Sequence, residues 1–320
     1  MLNAIKTSLI CALVFVFVTA CTPNQTAMIE NAKKAVVIIA SEKVTERGDM
    51  GGLGTGFFVK ENYIFTARHV ISDAKNIKIA LEKSDEVFDA EVVYEDAFSD
   101  VAVLRVKNWE EFKSKNDIEY LPIVQHDDLR PYINVYSIGH PWGLFFSVSK
   151  GIVSSPIRKK DSSPMWYIQT DARVFEGNSG GPLITEYGKV IGINDMMVAK
   201  LGGSYGLAIP MSVALKVVND LEKYKEVRWA TLGISLNKNV IQELDPEGAA
   251  KKAGLQVGDV IDELFTKDDA IIIDTAEQLI SKMTTLDYSE KIRLGVKRDG
   301  NKIRFDITPS YKVITKEQDK

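Results

Sequence analysis

The run IQTDARVFEGNSGGPL spans Ile168 to Leu183. Its second half sets one serine, Ser179, among Gly177, Gly180 and Gly181, with Pro182 behind them. Glycine reaches backbone conformations that other residues avoid, so this is a tight turn built around a hydroxyl. Gly177 can turn its own N–H and that of Ser179 toward one point. Outward from this turn, the chain from Ala35 to Pro210 is a series of short β-rich runs. They include AVVIIAS from Ala35, TGFFVK from Thr55, VAVLRV from Val101, NVYSIG from Asn134 and KVIGIN from Lys189. Valine, isoleucine and aromatic residues at this spacing predict an all-β sandwich or a pair of barrels. No long helical pattern interrupts them, which argues against parallel βαβ units.

Two further segments complete a chemistry. Phe65-Thr66-Ala67-Arg68-His69-Val70 places a histidine at the end of a strand. Ser99-Asp100-Val101-Ala102-Val103-Leu104 places an aspartate at the start of a buried one. A serine hydroxyl is a weak nucleophile until a nearby imidazole can take its proton. A carboxylate on the other ring nitrogen fixes the tautomer. The backbone N–H groups of a glycine turn can then bind the oxyanion that forms on attack. His69, Asp100 and Ser179 are the candidate catalytic residues, and Gly177, Asn178 and Ser179 the candidate oxyanion hole. Asp96 is a rival to Asp100, but lies four residues earlier in a turn. His126 and His140 sit in no catalytic motif and read as surface or packing residues. No His/Cys/Asp grouping has metal-ligand spacing, and no cofactor is expected.

These motifs, with GTGFFV (Gly54 to Val59), SIGHPWGL (Ser137 to Leu144), KGIVSS (Lys150 to Ser155) and YGLAIP (Tyr205 to Pro210), resemble the HtrA (Deg) family of trypsin-like serine proteases. The resemblance implies a chymotrypsin/trypsin-like double β-barrel and an endopeptidase acting on unfolded or exposed polypeptide. It implies the three roles given above, a specificity pocket lined near Tyr205, Gly206, Leu207 and Ala208 and by the segment before Ser179, and a homotrimer. The sequence departs from the family's usual residues at His140, Arg173, Glu176 and Asp195. Arg173 and Glu176 flank the oxyanion loop.

After Pro210 the pattern changes. Val213, Val217 and Leu221 recur at intervals of four within MSVALKVVNDLEKY, predicting a helix over 211–224 that closes the β-domain. Residues 225–229 read as a linker. Beyond it, WATLGI from Trp229, PEGAAKKAGL from Pro246 and VGDVI from Val257 are similar to the PDZ domains that follow HtrA proteases. A small α+β PDZ-like domain over 230–318 is therefore expected. Asp274 is placed to cap a helix, and Asp299-Gly300 to turn a hairpin. PDZ domains bind a C-terminal peptide as an added strand. Thr231, Leu232, Gly233 and Ile234 are the candidate carboxylate turn and edge, with Leu279, Ile280 and Met283 opposite. Those three apolar side chains equally suit a core.

The N-terminus bears on location. Lys6 precedes an apolar run of 12 residues, Leu9 to Ala20. A helix needs about 20 to span a bilayer, so this is an export signal over 1–20. It ends Val18-Thr19-Ala20-Cys21, which resembles a lipoprotein acylation site at Cys21, leaving a polar tether over 21–33. An ordinary signal cut near Ala20, or an uncleaved anchor, is the alternative. Thr22 in place of aspartate favours the outer membrane, by the same resemblance. The expectation is an exported, lipid-anchored periplasmic protein. Cys11 and Cys21 are the only cysteines, so the mature chain has no internal disulfide. A net charge of −4, with 45% hydrophobic and 26% charged residues, is ordinary globular composition and gives no reason to expect nucleic acid. The site predicts an envelope quality-control or signalling protease regulated by its PDZ-like domain. The other reading is a proteolytically latent, peptide-binding chaperone. Loops 158–165 and 195–204 are the segments expected to respond to such regulation.

Overall fold

A computed structural model describes residues 24–45, 48–124, 129–159, 165–200 and 203–314. The leader, Cys21 and His126 lie outside the described residues.

The β-rich runs form two closed barrels. The first comprises β1 (Val36–Thr45), β2 (Gly48–Lys60), β3 (Tyr63–Ala67), β4 (Ala74–Leu81), β5 (Phe88–Asp96) and β6 (Val101–Val106). They pair in the order β1-β2-β3-β6-β5-β4, and β4 returns to β1. The second comprises β7 (Asn134–Gly139), β8 (Ser147–Lys159), β9 (Trp166–Thr170), β10 (Pro182–Thr185), β11 (Val190–Lys200) and β12 (Gly203–Pro210). Their order is β10-β11-β12-β9-β8-β7, closed by β7 on β10. Closure leaves no open strand edge, which is how small all-β folds avoid edge pairing. Strand periodicity does the sorting: Ile77, Ile79 and Leu81 of β4 point inward, while Asn76 and Lys78 face water. Phe57, Phe58, Phe65, Ile39, Ile64 and Leu104 are fully buried in the first barrel.

Helix α1 (Gln25–Lys33) occupies part of the stretch that reads as a polar tether. The Asn24 side chain accepts from Ala27 N–H and caps it. Met28, Ile29 and Ala32 then fall on one face and pack on the core, a sparse stripe in an otherwise polar segment. Two short helices follow, α2 (Arg68–Ile71) and α3 (Trp109–Lys115). Helix α4 (Met211–Tyr224) closes the double barrel as the periodicity requires, and ends on Lys225 at φ 63°.

The expected linker 225–229 ends in a strand. Trp229 already belongs to β13 (Trp229–Thr231) and its ring packs 4.9 Å from Phe98. Buried Lys216 and Asp220, one turn apart on α4, pair with each other, and both also bind Arg228: Lys216 Nζ donates to its carbonyl at 3.0 Å, and Asp220 accepts from its N–H at 2.8 Å.

The C-terminal unit has a sheet of six strands: β14 (Ile234–Asn237) at one edge, β15 (Val240–Leu244), β16 (Val260–Phe265), β17 (Ala270–Ile272), β18 (Ile292–Arg298) and β19 (Asn301–Ile307). Helices α5 (Ala249–Lys252) and α6 (Ala276–Met283) complete it, and β20 (Ser310–Lys312) pairs with β13. Asp299 and Gly300 both adopt positive φ, the turn that joins β18 to β19. The cap of α6 falls one residue later than expected. Thr275, not Asp274, forms a reciprocal capping box with Gln278.

Candidate active site

His69 stands on α2, immediately after β3 runs out. Asp100 stands on the turn before β6, at φ 56°. That conformation lets the carboxylate grip His69 twice. Oδ1 accepts from the His69 backbone N–H at 2.9 Å, and Oδ2 lies 2.5 Å from the ring Nδ1. The Asp100 carbonyl also accepts from Arg68 N–H at 2.7 Å. Asp96 is occupied elsewhere: its carboxylate takes both the N–H and the hydroxyl of Ser99, at 2.8 and 2.6 Å, and burial pushes its pKa up.

Ser179 comes from the second barrel. Its turn needs glycine at two places for steric reasons. Gly177 sits at φ 97°, where a Cβ would lie 2.2 Å from the His140 carbonyl oxygen. Gly180 sits at φ 85°, with the Thr55 carbonyl oxygen 2.1 Å from where a Cβ would be. Hydrogen bonds tie this turn to the first barrel. Thr55 N–H donates to Ser179 O at 2.9 Å, and Thr55 Oγ1 donates to Gly177 O at 2.7 Å. The Glu176 carbonyl, which shares a peptide plane with the Gly177 N–H, accepts from Trp142 N–H at 3.0 Å, so the Gly177 N–H faces the other way. Among the described residues, the N–H groups of Gly177 and Ser179 donate to no protein acceptor. Asn178 N–H is taken by Phe175 O at 2.9 Å, so its amide is not available as the third donor expected there. The Ser179 hydroxyl donates to the Asp195 carbonyl at 2.8 Å.

His69, Asp100 and Ser179 line one cleft of about 600 Å³. Tyr167, Phe175, Glu176, Asp195, Met196 and Met197 form the rest of its wall. Phe175 and Glu176 belong to the segment before Ser179 that the resemblance implies as pocket lining, and the sequence singles out none of the other four for that role. Tyr205, Gly206, Leu207 and Ala208 lie one strand back on β12, paired with Val198, Met197, Met196 and Asn194 of β11. The expected loop 195–204 is largely strand: β11 runs to Lys200 and β12 begins at Gly203. Of the expected loop 158–165, Arg158 and Lys159 belong to β8, and residues 160–164 lie outside the described residues. His140 is buried, accepts from Phe146 N–H through Nδ1 at 3.0 Å, and lies under the oxyanion loop. Burial pushes its pKa down to about 4. His69, Asp100 and Asp195 also bring three possible metal-ligand atoms within 4.8 Å of one another. The Nδ1–Oδ2 separation of 2.5 Å is a hydrogen-bond distance, so the group handles a proton.

The C-terminal unit carries its own groove, about 130 Å³, between β14 and α6. Ala230, Thr231, Leu232, Ile234 and Leu236 line one side, and Leu279, Ile280 and Met283 the other. Leu279 and Met283 are also core residues, whereas Ile280 is exposed. Gly233, at φ 71°, makes the turn into β14.

Two closed six-stranded barrels, with a His–Asp pair on one and a glycine-set serine on the other, define the trypsin-like class of fold. The sequence profile of the trypsin-like peptidase domain matches residues 54–193. A probable periplasmic serine endoprotease, DegP-like, of Pseudomonas fulva (strain 12-X) is 36% identical over 270 residues, 78% of this chain and 54% of its own length. Its namesake in Ectopseudomonas mendocina (strain ymp) is 31% identical over 347 residues, 90% of this chain and 71% of its own. The solved HtrA-type protease AlgW with tripeptide matches with a TM-score of 0.68 at 25% identity, covering 92% of this chain and 99% of that one. This chain belongs to the family of DegP-like, HtrA-type serine endoproteases. It spans about half the length of the Pseudomonas fulva relative.

Proposed function

We propose that this protein is a serine endopeptidase that cleaves unfolded or exposed polypeptide in the periplasm. The observation that carries this is the double grip of Asp100 on His69, in the same cleft as Ser179. Asp100 holds the Nδ1–H tautomer, which leaves Nε2 to take a proton. Ser179 Oγ bonds to the substrate carbonyl carbon as its proton passes to His69. The displaced electron pair becomes an oxyanion, bound by the N–H groups of Gly177 and Ser179. Collapse breaks the C–N bond, and His69 returns the proton to the leaving amine. Water then releases the acyl group by the same steps. Phe175, Met196 and Met197 suit an apolar side chain before the cut.

Because His69 and Ser179 act as one unit, Ser179→Ala and His69→Ala should each abolish casein cleavage to a similar degree, with the double variant no worse. Full peptidase activity in Ser179→Ala would overturn the assignment. A second reading, a resting state that is proteolytically latent, is favoured by the Ser179 hydroxyl donating to the Asp195 carbonyl. Serine-directed phosphonylation separates the two, since a competent site labels Ser179 without any activator.

The C-terminal unit is proposed to be a PDZ-like domain. A peptide would add as a strand along the β14 edge, its carboxylate at the turn of Thr231 to Gly233 and its last side chain against Leu279, Ile280 and Met283. Relatives named as periplasmic support export, and Cys21 is proposed as the lipid anchor, with the outer membrane as the favoured site. Mass spectrometry of the mature N-terminus should find an acylated cysteine, and Cys21→Ser should release the protein; an unmodified N-terminus in the membrane fraction would contradict this. A homotrimer is proposed by family membership, and its mass in solution by light scattering tests it.

A further inference from the structure

β11 and β12 slip register once. Asn194 pairs with Ala208 and Met196 with Leu207, so Asp195 is the extra residue of a β-bulge. A bulge re-aims a side chain and frees its backbone from the ladder. Both consequences are visible here. The Asp195 carbonyl accepts the Ser179 hydroxyl at 2.8 Å, and the Asp195 carboxylate, only 1% exposed, lies 3.6 Å from Nδ1 of His69. Its position is thus shared with Asp100, whose Oδ2 is on the same nitrogen.

We propose that Asp195 is a positioning residue of the acid–base site, whose buried carboxylate faces the Nδ1 side of His69 beside Asp100 and sets the pH above which His69 can take the Ser179 proton. At 3.6 Å it acts by charge more than by a hydrogen bond. A buried negative charge within about 4–6 Å favours the imidazolium. The base is therefore stronger, and it stays protonated to a higher pH, than with Asp100 alone. The Asp100 and Asp195 carboxylates lie within 4.8 Å of each other, and their mutual repulsion is relieved when His69 between them is an imidazolium. From α2, Arg68 is bridged to Glu95 of β5 at 3.2 Å. Lys216 of α4 is bound to Asp220, and Asp96 to Ser99. Tyr167 of β9 and Glu176 of the loop before Ser179 also line the cleft, and no lysine or arginine does so among the described residues.

The inference rests on His69 as the general base, and its test can be read without activity. The chain has three histidines, so ring resonances can be assigned by single substitution. In a Ser179→Ala background, the His69 ring should titrate about one pH unit lower when Asp195→Asn is added. In the active protein, Asp195→Asn should move the acidic limb of kcat/KM down by a similar amount and lower the plateau, because the base is weaker. Asp195→Ser provides the same comparison if the asparagine variant folds poorly, and thermal melting establishes which variant to read. A His69 titration at the same pH with and without the Asp195 carboxylate would overturn the proposal. If His69 shifts but Ser179→Ala retains full peptidase activity, the proposed function fails and the influence of Asp195 stands.

Discussion

At the scale of single residues, the oxyanion turn is the most demanding part of the site. Gly177 holds φ 97° with the His140 carbonyl oxygen 2.2 Å from where a Cβ would sit. A side chain there must move the peptide whose N–H is proposed to face the oxyanion. Gly177→Ala should therefore cost on the order of 10²–10³ in kcat, the effect of losing one oxyanion donor, while KM changes far less. Stopped-flow acylation with a chromogenic ester measures it, and a kcat equal to the parent's would remove Gly177 from the hole. These glycines are legible in the sequence because a serine set between them marks a tight turn around a hydroxyl. Asp195 is legible only as a departure from the family. Its inward turn depends on a register slip between two strands, and no local pattern in Asn194-Asp195-Met196 announces one. Met196 and Met197 are hidden for the same reason, since a strand's facing cannot be assigned across an unseen bulge.

At the scale of elements, long periodic segments are readable and marginal ones are not. Helix α4 matches its expected span because its apolar repeat is continuous. Helix α1 is hidden because three apolar residues on one face carry little signal without the surface they dock on. The strand ends that reach Lys159 and Lys200 read as loops in the sequence because they are polar or lie beside glycines, yet the ladder of the barrel extends into them. One element has a pH consequence. The segment His140 to Phe146 folds under the oxyanion loop, with His140 N–H on Gly177 O at 3.3 Å and Trp142 N–H on Glu176 O at 3.0 Å. Burial lowers the His140 pKa from 6.5 to about 4. Between these values the unfolded chain binds a proton that the folded one refuses, so stability falls as pH drops through this window and the loss is complete below it. The contribution approaches about 3 kcal/mol at full effect. His140→Asn removes the titration and should flatten the stability profile between these two pH values, as read from denaturant midpoints. An undiminished slope would place its origin in other groups.

At the scale of the whole molecule, the chain order of barrels, closing helix and a further C-terminal unit is readable, but their contact is not, because it joins residues far apart in sequence. Arg228 is its centre. Its guanidinium lies 4.3, 5.4 and 4.8 Å from the ring centres of Tyr224, Tyr288 and Tyr311, and Nη1 donates to the Tyr288 hydroxyl at 2.9 Å. Lys223 and Asp287 pair beside it at 3.3 Å, and burial notwithstanding, bonds from Ser289 and Lys223 hold the Asp287 pKa down at about 2.

Helix α6 supplies the displacement in the proposed regulation of the protease. Leu279, Ile280 and Met283 line the peptide groove on one of its faces. Gln278, Ser281 and Lys282 on another line a cavity of about 510 Å³ against Pro156 and Ile157 of β8 and Trp166 of β9. Tyr167, the next residue of β9, lines the catalytic cleft. We propose that a peptide wedged against α6 shifts it across this cavity toward the strand that walls the active site. This adjacency motivates the coupling, and the peptide response is what establishes it. Coupling of about 1–3 kcal/mol would change activity roughly 5- to 150-fold. A short peptide with a free, apolar C-terminus should alter cleavage of an unrelated reporter within that range. Its amidated form should not, because the turn at Thr231 to Gly233 is proposed to bind the carboxylate. Ile280→Glu, which places a charge in the apolar groove, should remove the response. Equal effects from the free and amidated peptides, or a response that survives Ile280→Glu, would mean that α6 does not carry the signal.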